Sequence, residues 1–142
     1  MGICEPELVG LIIRPTLRQM GLYTKRAEQL LLQAAAASEL GHHICPDRAR
    51  RLGLYRITSK QHRQVWDTYL VHQPELASTV RGLASQRAFL NNPDDELITN
   101  LRYATAIAWL LIQQTCERMP SAKPTDAELL ATAFNRRKRM AA

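Results

Sequence analysis

Apolar positions along most of this chain fall at intervals of three and four, the spacing that lines one face of an α-helix. Pro6 marks a first helix carrying Leu8, Val9, Leu11, Ile12, Ile13, Leu17 and Met20, with Gly21 at its end. Pro15 removes a backbone donor from its interior and is expected to kink or split it. Residues 25–40 read as a buried helix of strong helix formers, including Leu30, Leu31, Leu32 and four consecutive alanines. Thr24 is its expected N-cap, and Gly41 stands where a left-handed C-terminal cap is usual. Thr58 and Gln61 form a capping box for a helix holding Val65, Trp66, Tyr69, Leu70 and Val71. Gln73 and Pro74 stop it and start another, with Leu76, Val80 and Leu83 at helical spacing. Asn92, Pro93, Asp94 and Asp95 combine a cap, a first-turn proline and first-turn acids, which predicts one long helix to about Arg118. That helix, with Leu97, Ile98, Leu101, Ile107, Leu110, Leu111 and Ile112, is expected to be the most buried, with Trp109 packed there too. After a linker, Thr125 and Glu128 open a last helix. Only residues 53–57, Gly-Leu-Tyr-Arg-Ile, break the pattern, being short, aromatic and β-branched. The expected class is all-α with at most one minor hairpin, a single domain over residues 1–142 with a basic tail from about residue 136.

One carboxylate stands out against this pattern. Glu39 falls on the last turn of the expected 25–40 helix, where the negative end of the helix dipole and an apolar wall both disfavour ionisation. A general acid near neutral pH needs such surroundings, and Asp47, across the following turn, is the second carboxylate within range. An ordinary surface glutamate beside a cap is the competing reading. His42, His43 and Cys45 lie close together, but without a second ligand pair at zinc-like spacing they do not make a metal site, and no cofactor is expected. No glycine-rich phosphate loop and no nucleophile elbow is present.

Composition narrows the setting. The chain has 142 residues, 46% hydrophobic and 23% charged, with no apolar run of the ~18 residues a membrane span needs. The N-terminus shows no export signal, so the expected place of synthesis and folding is a cytoplasm. Cys4, Cys45 and Cys116 are odd in number and far apart, which favours free thiols over a disulfide framework. A formal charge of +6 favours an acidic partner, whether nucleic acid, cell wall or protein. The basic residues gather at Arg48, Arg50 and Arg51 and at Arg136, Arg137, Lys138 and Arg139. The Thr58 helix, with Lys60, His62 and Arg63 near its start, could also serve as a reading helix in DNA.

The stretches LIIRPTLRQMGLYTKRAEQLLL, LGLYRITSKQHRQVWDTYL and LITNLRYATAIAW together resemble small tailed-bacteriophage proteins of lysozyme-like or lytic transglycosylase-like type. The similarity covers most of residues 8–112 and rests on order and spacing. It implies phage origin, a lysozyme-like helical fold and a role near the virion or the cell wall, with Ser38, Tyr55 and Arg56 as substrate-facing positions. The chain departs from that pattern at the cleft. The ungapped match puts Ser38 on the acid position, and Glu39 is one residue late, a turn of roughly 100° on a helix. Arg56 replaces a glutamine suited to sugar hydroxyls by a fixed cation. The closing aromatic segment is reduced to Phe134, Asn135 and Arg136. This favours a virion-associated structural or accessory protein of the tail or connector, on a degenerate scaffold, meeting other virion proteins in an oligomeric assembly after host-cytoplasmic synthesis. The alternatives are an active murein-cleaving enzyme with Glu39 as general acid/base and peptidoglycan as substrate, and a cytoplasmic protein that binds nucleic acid or a host factor.

Overall fold

The structure, a computed structural model, describes residues 4–37, 51–118 and 123–134, without the side chains of residues 86–88. Helix α1 (residues 5–20) runs unbroken through Glu5–Glu7, a π-helical stretch Leu8–Ile13 and Arg14–Met20. Pro15 therefore does not split it. The hydrogen-bond spacing widens just ahead of the proline, with Arg14 N–H donating to Val9 O. The Leu11 carbonyl, four residues before the proline, accepts from Arg102 Nη2 at 3.3 Å, so a distant side chain offers a donor the proline lacks. Gly21 ends the helix as expected, and does so at φ 72°, in the left-handed conformation, with its own N–H on Arg18 O and that of Leu22 on Leu17 O.

Helix α2 (Lys25–Ala37) starts at Thr24, whose Oγ1 accepts from Ala27 N–H at 2.9 Å. Its Ala27, Leu30, Leu31, Ala34 and Ala35 are buried. Glu28, also buried, receives Arg14 Nε at 2.7 Å, and that hydrogen bond holds its carboxyl below the ordinary range. Helix α3 (residues 59–72) passes from Ser59–Gln64 through a π stretch Val65–Tyr69 to a 3₁₀ turn Leu70–His72. Both halves of the Thr58–Gln61 capping box are present. Helix α4 is Pro74–Leu83 and α5 is Gln86–Asn91.

The expected single helix from Asn92 to Arg118 is two helices. Asn92 makes no side-chain cap, a 3₁₀ turn Pro93–Asp95 leads into α6 (Glu96–Thr99), and Asn100 interrupts at φ −116°, ψ 96°. Asn100 is the cap that the acid-rich signal eight residues earlier obscured. Its Oδ1 accepts Tyr103 N–H at 3.0 Å, and its Nδ2 donates to Leu83 O at 2.7 Å and Glu96 Oε2 at 2.9 Å. Helix α7 (Leu101–Arg118) then crosses the middle of the fold, and 11 of its 18 residues are buried, so it is wrapped on most sides. It touches α1, α2, α3, α4 and α6 and the last helix, α8 (Asp126–Ala133). Leu101, expected in the core, is only half-buried at the rim of that helix, whereas Ile107 and Leu111 lie inside. Thr125 Oγ1 caps α8 by accepting Glu128 N–H at 3.2 Å.

Residues 52–57 make the one extended feature among the described residues, a single antiparallel bridge between Leu52 and Ile57 closed by two backbone hydrogen bonds of 2.8 and 3.0 Å. The fold is all-α.

Candidate functional site

Of the positions the sequence points to, Ser38, Glu39, His42, His43, Cys45, Asp47, Arg48, Arg50, Arg136, Arg137, Lys138 and Arg139 lie outside the described residues. Arg51, Tyr55 and Arg56 lie within them, the first just before the 52–57 turn and the other two on it. Tyr55 corrects its expected substrate-facing role, because its side chain is wholly buried. Its hydroxyl lies 2.9 Å from Thr105 Oγ1, and the Thr105 hydrogen is already given to Leu101 O at 2.7 Å, so Tyr55 is the donor. Burial pushes this phenol up. Arg51, expected to meet a partner, donates through Nη1 to Phe134 O at 3.3 Å and ties the turn to the end of α8. Arg56 is half-buried and holds a left-handed conformation at φ 56°.

A chain of polar side chains, invisible to motif reading, links α3 to the Pro93–Asp95 turn and α7. Trp66 Nε1 donates to Tyr103 Oη at 2.8 Å. Tyr103 Oη lies 2.6 Å from His62 Nε2, His62 Nδ1 lies 2.9 Å from Asp94 Oδ1, and Ser59 Oγ donates to Asp94 Oδ2 at 2.6 Å. With a neutral imidazole protonated on Nδ1, every hydrogen in the chain has one acceptor and the charge ends on Asp94. Burial holds the His62 pKa below its ordinary value against the raising hydrogen bond to Asp94. For Asp94, burial pulls upward, but the hydrogen bonds from Ser59 and His62 outweigh it and keep the carboxyl low. Phe89 stands 5.9 Å from the rings of both Trp66 and Tyr103, and the Arg81 guanidinium sits 4.2 Å above the Phe89 ring. Tyr103 has no exposed surface, so this assembly holds three elements together rather than presenting a reacting group. His62, a candidate for reading DNA, is turned inward and leaves only Lys60 and Arg63 exposed on that turn.

A polar groove of about 400 Å³ lies between α3, the C-terminal half of α7, and α8. Thr58, Lys60, Gln61, Gln64, Gln114, Thr115, Arg118 and Thr132 line it, with Leu111 and Ala133 as its apolar contribution. Lys60 and Arg118 bring positive charge, and no carboxylate is among these lining residues. The sequence signal was weak, because the groups come from three separate helices and no two of them form a spaced motif. Among the described residues no group of three His, Cys, Asp or Glu side chains could hold a metal ion. No helix among them is long and apolar enough to cross a membrane. Comparison with family models, with curated proteins and with solved structures finds no match in any of the three.

Proposed function

We propose that the chain is a non-catalytic structural or accessory component of a tailed-phage particle, in the tail or connector region, on a lysozyme-like helical scaffold whose cleft chemistry has lapsed. The phage assignment rests on the resemblance of residues 8–112. The loss of catalysis is supported chiefly by Tyr55, which sits on the turn expected to line a sugar cleft and is instead sealed in the core against Thr105. A side chain committed in this way stabilises the fold and offers nothing to a substrate. Three buried or half-buried carboxylates among the described residues are similarly occupied: Glu28 by Arg14, Glu96 by Ser85 N–H and Asn100, and Asp94 by Ser59 and His62. Partner contacts in this reading are other virion proteins, met through Arg48, Arg50 and the 136–139 basic run, with synthesis in the host cytoplasm and residence in the virion.

Two measurements test the proposal. Mass spectrometry of purified particles should find the chain, and charge reversal in the two basic runs should reduce its incorporation while the isolated protein stays folded. Purified protein should leave bare murein sacculi intact. Turbidity clearing that disappears in Glu39→Gln would instead establish the murein-cleaving reading, with Glu39 as general acid and Asp47 as its partner. Duplex DNA binding with steep salt dependence and sequence preference, and absence from the particle, would favour the nucleic-acid reading.

A further inference from the structure

We propose that the groove between α3, α7 and α8 binds a small hydroxyl-rich anion, a sugar or polyol carrying a phosphate or a carboxylate. Its walls carry unspent hydrogen-bonding capacity. Gln61 spends its Oε1 on Thr58 N–H at 3.0 Å, which fixes the amide and leaves its N–H donors for the groove. Gln114 gives one Nε2 hydrogen to Thr68 Oγ1 at 2.8 Å, which fixes that amide as well and leaves its Oε1 as an acceptor. The Thr115 and Thr132 hydroxyl hydrogens point back to Leu111 O at 2.8 Å and Glu128 O at 3.0 Å, so each oxygen retains acceptor capacity. The result is a set of orientated acceptors for ligand hydroxyls beside amide donors, held in place before any ligand arrives.

Charge selects within that class. Lys60 and Arg118 stand on the groove, and among its described lining residues there is no carboxylate, so these walls attract an anion and repel a cation. A largely polar lining of this kind suits a hydrophilic ligand better than an apolar one, and about 400 Å³ has room for a single sugar residue. Such binding belongs to the isolated chain in solution and does not depend on a place in a virion.

Titration of the full chain, followed by amide chemical shifts and calorimetry, provides the test, with glucose 6-phosphate, glucuronate, glucose and inorganic phosphate as probes. One of the two charged sugars should bind more tightly than both glucose and inorganic phosphate, and whichever binds better identifies the anionic group. Shifts should centre on Gln61, Gln114, Thr115 and Arg118. Lys60→Gln and Arg118→Gln should each weaken binding by about threefold or more, and Lys123→Gln should not. Thr115→Val, close in shape, should weaken the charged sugar and leave inorganic phosphate unaffected. The proposal is overturned if neither charged sugar exceeds inorganic phosphate, if both charge variants bind as the parent does, or if the shifts map to another face.

Discussion

Replacing Gly53 by alanine should be among the most damaging single-methyl changes in this protein. Gly53 opens the 52–57 turn at φ 73°, and a Cβ there would lie 1.8 Å from Leu97 O and 2.7 Å from Leu97 C. Both are backbone atoms, so no side-chain rotation relieves the overlap. The α6 segment cannot retreat cheaply either, since Glu96 is held by Ser85 N–H and by Asn100 Nδ2. The left-handed conformation costs a residue with a Cβ roughly 1–2 kcal/mol. Overpacking against fixed backbone adds about 1–3 kcal/mol. The stiffer unfolded chain returns about 0.4–1 kcal/mol. A net loss of about 2–4 kcal/mol should lower the thermal midpoint by on the order of 10 °C, read by circular dichroism. Gly21→Ala is the control for conformation without contact, because Gly21 shares the positive φ of 72° but would meet nothing within 4 Å. It should cost about 1 kcal/mol. Gly82→Ala, in α4 with open space around it, should be neutral or stabilising by up to about 1 kcal/mol. Equal midpoints for Gly53→Ala and Gly21→Ala would refute the close approach of the turn to Leu97.

Three further outcomes follow from the same packing. Unfolded imidazole takes up its proton near pH 6.5 while folded His62 resists it, so stability should fall as pH drops below about 6.5 and level off below the folded value; urea midpoints of the parent should show this slope and His62→Gln should flatten it, and a parent without the slope would contradict a buried neutral imidazole. Tyr103→Phe leaves Trp66 Nε1 and His62 without their shared partner and should cost about 1–3 kcal/mol in urea denaturation, while Tyr23→Phe, which removes a long 3.4 Å contact to Glu28, should cost less. Ile107→Ala should cost about 2–5 kcal/mol and Leu101→Ala distinctly less, because the first is fully buried and the second half-buried; equal losses would place Leu101 in the core after all.

Local chemistry made the helical class readable from the residues themselves. Thr24, Thr58 and Thr125 cap the helices they precede, and Gly21 ends the first one, because each interaction involves atoms within a few residues of chain. The buried character of the 101–118 helix was equally legible, since an element apolar on most sides has no face to give to water. Other features depended on contacts far apart in sequence. Asn92 carries the stronger local signal, and what distinguishes Asn100 is a hydrogen bond to Leu83 O, seventeen residues away. Pro15 predicts a kink or a split in α1; the helix is not split, and Arg102, across the fold, donates to the carbonyl four residues before the proline. Tyr55 reads as a cleft residue until Thr105 and the core enclose it, and His62 reads as part of a DNA-facing turn without its partners Asp94 and Tyr103. The polar groove is the extreme case. Its walls come from three helices, and periodicity along one helix cannot reveal which polar face another helix will meet. Hydrophobic spacing and caps are short-range and survive in one dimension, whereas burial of a polar side chain is decided by whichever distant element happens to pack against it.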